Sequence, residues 1–139
     1  MTRRLPLMLA AAALAVVAAG CGGARSNKPY TATGTVACMA KKGFTKVTTN
    51  PVKVGFIAGF AENGGLKATS HDGNVLTIAF AANDTTGVES TKQAFRAHAP
   101  AKLRPHIDDI MESQGNAVLV WTVTPAPAEL ADAEGCLHS

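Results

Sequence analysis

Three cysteines, four histidines and one Pro-His-Ile-Asp-Asp-Ile run hold the side chains most capable of chemistry in this 139-residue chain. The cysteines stand at 21, 38 and 136, without the close Cys-x-x-Cys spacing that thiolate metal sites and redox pairs favour. His71 falls in a His-Asp-Gly turn signal and His138 in a fraying end, where rings are solvated bystanders. His98 belongs to a helical segment. His106, Asp108 and Asp109 have the residue types of a metal site. At i, i+2 and i+3, however, they do not share one helical face, and acids in a first helical turn also complement the helix dipole.

Nucleophilic chemistry fares no better. Ser26, Ser70, Ser90, Ser113 and Ser139 all lie outside a Gly-x-Ser-x-Gly elbow, and a hydroxyl needs an oriented base to attack. Cys38 would qualify only if unpaired; Lys41-Lys42 beside it would favour a thiolate, but read more simply as a solvated helix face. Asn63-Gly64-Gly65 lacks the following Lys-Ser/Thr of a phosphate cradle. The residues therefore name no catalytic group, no metal site and no cofactor.

Position explains the first cysteine. Arg3-Arg4 precede Leu5 to Ala19, fifteen residues that are all apolar or Pro. This is a basic start and an apolar run of secretory length, short of the ~20 residues a membrane-spanning helix needs. The run ends in Val17-Ala18-Ala19-Gly20-Cys21, which resembles the lipobox of bacterial lipoproteins, with Ala18 in place of the usual Leu. The resemblance implies cleavage before Cys21 and a thioether-linked diacylglycerol on that residue. Two or three acyl chains would then hold the chain stably on the extracytoplasmic face of the cell membrane. The alternative is an ordinary secretory signal with Cys21 merely near the cut. Arg3-Arg4 also suits a twin-arginine signal, although Pro6 stands where a bulky apolar residue is expected, so the export route stays open.

Removal of residues 1–20 leaves 119, enough for one domain with a modest core. Arg3 and Arg4 leave with the leader, so 13 basic residues become 11 against 10 acidic ones. A charge near neutrality gives no footprint for nucleic acid, whose binding relies on clustered Lys and Arg. Cys38 and Cys136, one near each end of an exported domain, read as a disulfide worth ~2–4 kcal/mol. A thiolate metal site or reactive pair is the alternative.

The elements that must position these residues follow from pattern. Residues 35–42 read as a short helix, capped by Thr33 or Gly34 and stopped at Gly43. Residues 44–49 alternate as a strand. Residues 50–65 fit a helix with Asn50 as cap, Pro51 at its first position and Asn63-Gly64-Gly65 as stop, against a weaker strand reading. Strands at 66–70 and 74–82 flank His71-Asp72-Gly73, a hairpin signal. Thr86 to Glu89 has capping-box spacing and opens a helix to about Ala99, before Pro100. A turn or helix is expected at 105–114, a strand at 117–124 carrying Trp121, and a last helix to about Leu137. Trp121 is expected in the core with its indole N–H bonded, or else facing a partner.

Without its first and last helices this order is β-α-β-β-α-β, which predicts an α+β, ferredoxin-like antiparallel sheet with an extra helix at each end, stapled by one disulfide. In that topology the first and fourth strands are neighbours, which would bring Cys38 and Cys136 to one sheet edge.

Cys38-Met39-x-x-x-Gly43, Gly115-Asn116-Ala117-Val118 and Cys136-Leu137 together resemble a group of small exported proteins of high-GC Gram-positive bacteria. Those proteins pair a Cys-Leu-x-x-x-Gly start with a Gly-Asn-Val-Val strand and a Cys-Leu end; here Met39 and Ala117 depart from the pattern. The resemblance spans most of residues 33–137 and implies a fold and a staple but no catalytic residue. The expectation is a signal peptide at 1–20, a lipidated flexible tether at 21–32 and one α+β domain at 33–139. Its work would be non-catalytic: a binding or adaptor module for an envelope protein or a small envelope ligand. A small hydrolase or metal-dependent factor is the alternative, and would gather His and acidic side chains in one concavity.

Overall fold

Five antiparallel strands form one sheet in the computed structural model, which describes residues 28–139; the leader, Cys21 and the tether through Asn27 lie outside the described residues. The strands are β1 (Thr45–Thr48), β2 (Gly65–Thr69), β3 (Val75–Phe80), β4 (Met111–Gln114) and β5 (Ala117–Trp121), in spatial order β1-β2-β3-β5-β4. The pairing Leu66↔Ile78 and Ile78↔Leu119 sets the register of the three central strands. Because side chains alternate along a strand, this register puts Leu66, Ala68, Leu76, Ile78, Leu119 and Trp121 on one face, all buried.

Two terminal helices cover that first face. Helix α1 (Ala32–Lys41) is capped by Thr31, whose hydroxyl accepts from the Gly34 N–H at 3.0 Å. Its Met39 enters the same core cluster as Ala133 of α5 (Pro127–Glu134) and Leu137 beyond it. Among the described residues no helix is long and apolar enough to cross a membrane.

The internal helices lie on the second face. Asn50 accepts from the Val52 and Lys53 N–H groups and starts α2 (Pro51–Val54); Gly55 then takes φ +97°, a left-handed conformation that side chains disfavour, and α3 (Phe56–Gly59) follows at a new angle. Close approach of α3 to the sheet needs a second glycine: a Cβ on Gly65 would lie 2.3 Å from the Ala58 carbonyl oxygen. Val54, Ala58 and Ala79 form a small second cluster that Phe95 of α4 (Thr85–His98) joins. A 3-10 helix at Arg104–Asp109 leads into β4.

The α+β class, the antiparallel sheet and the disulfide are as expected, but the ferredoxin-like order is not. There the first strand would pair with the last; here β1 pairs with β2 and β5 lies between β3 and β4. Residues 111–114, read as the end of a turn or helix, instead fold back on β5 through the Gly115-Asn116 turn, Met111 opposite Val120. The helix expected over 50–65 is two short ones because of Gly55. Helix α4 is capped by Asp84, accepting from Gly87 at 2.6 Å, rather than by a box at Thr86. Strand β5 stops at Trp121, where Thr122 turns aside to bond Asn74. The folded part also begins earlier than Thr33, since Asn116 binds both the N–H and the carbonyl of Tyr30.

Candidate functional site

Cys38 and Cys136 are joined by a disulfide, with Cα atoms 5.2 Å apart. The reason differs from strand adjacency: α1 and the turn after α5 share the first face. The C-terminal segment after α5 runs alongside α1, with the Thr31 N–H donating to the His138 carbonyl at 2.8 Å and the His138 N–H to the Thr35 hydroxyl at 3.3 Å. Lys42 pairs with Asp132 at 2.9 Å across the same seam. Lys41-Lys42 thus flank a closed disulfide, and Cys38 offers no free thiol.

The histidines and acids are dispersed. His71 meets only its neighbour Asp72 at 3.2 Å, and His106 meets Asp109 at 3.4 Å, all exposed. Asp108 is engaged by Arg96 at 2.8 Å, which ties α4 to the 3-10 helix. Among the described residues no three His, Cys, Asp or Glu side chains gather as a metal site. The Ser70 hydroxyl donates to Glu129, while accepting from the Asn74 N–H at 3.1 Å, so it fastens the β2–β3 turn to α5. Trp121 is 1 % exposed and packs 6.5 Å from Phe44, centroid to centroid. It is a core residue on the first face, but its indole N–H finds no acceptor among the described residues, contrary to the expected bond.

The unfilled part of the molecule is on the second face. Helix α4 is fourteen residues long, yet none of its residues is fully buried. Between it, α2–α3 and the sheet lies a cavity of about 680 Å³, walled by Val54, Ile57, Thr77, Phe95, Leu103 and Val120 among others. Thr77 and His98 supply the only polar side chains on that wall among the described residues, and no carboxylate reaches it. The volume falls within the ~300–1,000 Å³ typical of ligand sites, and the apolar lining with a few polar points is typical too. A smaller hollow of about 330 Å³ lies on the other flank of α3, sharing Phe56, Ile57 and His98. Phe56, which lines both, packs 5.1 Å from Phe60 of the smaller hollow; the two rings are 74 % and 80 % exposed, and Val52 in α2 is 91 % exposed.

A third depression, about 570 Å³, continues along the same face and has a different character: Lys46, Lys53 and Lys67 line it with Val47, Thr69 and Val75. The cavity and the lysine groove were invisible in the sequence, where these residues are scattered over 46–120. The only clue was indirect: a loose amphipathic helix at 85–98 with Phe95 as its largest apolar side chain. In comparison with known proteins, the chain matches no family model, no curated protein and no solved structure.

Proposed function

We propose that this chain is a non-catalytic binding module, anchored through lipid on Cys21 at the extracytoplasmic face of the membrane, that takes a small apolar ligand between α4 and the sheet. The cavity carries the reading: about 680 Å³ of apolar space lies beside a long helix that buries none of its residues fully. A helix gains most of its stability from burying its apolar face, so a ligand there would complete the packing that the chain leaves open. One histidine and no carboxylate on the wall make a binding surface rather than an acid–base centre. The leader's resemblance to a lipobox supports the anchor, and the Cys38–Cys136 disulfide suits an oxidising compartment.

The neutral fluorophore N-phenyl-1-naphthylamine, which brightens in apolar surroundings, tests the site. Thr77→Phe keeps a good strand former on β3 while filling the cavity floor. Probe affinity is expected to fall about tenfold or more with the melting temperature held; an unchanged affinity would exclude this cavity. For the anchor, Cys21→Ser is expected to move the protein from the membrane to the soluble fraction. Retention on the membrane would refute lipidation at that residue.

A further inference from the structure

The cavity and the lysine groove are separate depressions whose walls adjoin on the second face of the sheet. Lys67, which lines the groove, stands directly opposite Thr77, which lines the cavity, in the β2–β3 register. Opposed residues of an antiparallel pair have Cβ atoms ~4.5–5.5 Å apart. On the other wall Lys53 and Val54 are consecutive residues of α2, one on each side of the junction. Along β3, Val75 and Thr77 are next neighbours on the same face, and they too divide between the two.

Their chemistry is opposed. One is apolar; the other gathers Lys46, Lys53 and Lys67 with no acidic residue on its wall. None of these three lysines pairs with a carboxylate among the described residues. Lys46 even sits at φ +51° in an irregular stretch of β1, where the pairing shifts between Thr45 and Thr48. Three unpaired ammonium groups on one concave surface form an attractive field for an anion.

We infer that the ligand is a single-chain anionic amphiphile, its hydrocarbon tail in the cavity of Thr77 and Val120 and its carboxylate or phosphate head on Lys46, Lys53 and Lys67. This rests on the binding reading above and narrows it. Three probes of equal chain length separate the two: dodecanoate, monododecyl phosphate and neutral monolauroylglycerol, each kept below its micelle concentration, titrated into the full folded chain. The two anions should bind at least about tenfold tighter than the neutral ester, and their advantage should shrink with salt. Lys53→Gln and Lys67→Gln, each on a solvent-accessible side chain, should each weaken dodecanoate about fivefold and leave monolauroylglycerol unchanged. Each methylene added to the tail should tighten all three about fourfold until the cavity is full. Equal binding of the three heads would overturn the inference while leaving an apolar ligand site intact. Binding of none would overturn both. Adsorption to anionic phosphatidylglycerol vesicles without uptake of monomeric dodecanoate would assign the lysines to a bilayer surface and overturn it as well.

Discussion

Two buried asparagines, neither of them among the residues first singled out for chemistry, fasten loops of this molecule to its sheet. Asn116 is 2 % exposed; its amide group donates to the Tyr30 and Ala81 carbonyls, both at 3.0 Å, and accepts from the Tyr30 N–H at 2.7 Å. Asn74 does the same at the opposite end, donating to the Val123 carbonyl and accepting from the Val123 N–H and the Thr122 hydroxyl. Each clamps a loop that has no ladder partner of its own. Asn116→Ala would leave buried backbone groups unsatisfied, and is expected to cost about 2–3 kcal/mol in denaturant unfolding. A loss under about 0.5 kcal/mol would mean that the Tyr30 segment is held by other contacts. At this scale the disulfide was legible, because two cysteines, one near each end of a domain and without Cys-x-x-Cys spacing, have few other fates. The asparagines were not: Asn116 stands in a Gly-Asn pair ahead of a strand, and the turn preference of that pair conceals a buried amide's role.

Among the elements, those with strong local signals were legible and those defined by a partner were not. β-branched and apolar alternation marked β2, β3 and β5, and Asn50-Pro51 marked the start of α2. Strand β4, Met-Glu-Ser-Gln, has no β-branched residue and owes its conformation to pairing with β5. Without it four strands read as β-α-β-β-α-β, and the ferredoxin-like order, with the last strand beside the first rather than between β3 and β4, followed from that omission. The break at Gly55 was equally hidden, since a glycine inside a helical pattern signals a cost rather than a direction. Helices α1 and α5 show what long-range covalent pairing adds: the disulfide closes 98 residues of sequence. The paired change Cys38→Ala with Cys136→Ala is expected to lower stability by about 2–4 kcal/mol, read as a melting temperature lower by on the order of 10 °C. An unchanged melting temperature would show that the seam of Thr31, Thr35 and His138 suffices without the bond.

Across the whole molecule the two faces of the sheet are unequal. The first is filled by α1, α5 and the C-terminal residues, and holds most of the large fully buried side chains of the central strands, Trp121 included, with Val118 on the other face. The second is closed by two single-turn helices and by α4, which stands off the sheet far enough to leave the cavity beneath it. Such an asymmetry has no signature in a single sequence, because the wall residues come from five separate segments that only the strand order brings together. The least protected long element is also the one a ligand would engage, which is where binding should change local stability most. Amide hydrogen exchange of the folded chain, with and without saturating dodecanoate, therefore tests the site most directly. Slowed exchange is expected in α4 and the 3-10 helix, residues 85–109, and in α2–α3, while α1 and α5 keep their rates. Dodecanoate that binds yet leaves α4 unchanged, or protects the first face instead, would contradict a ligand site between α4 and the sheet.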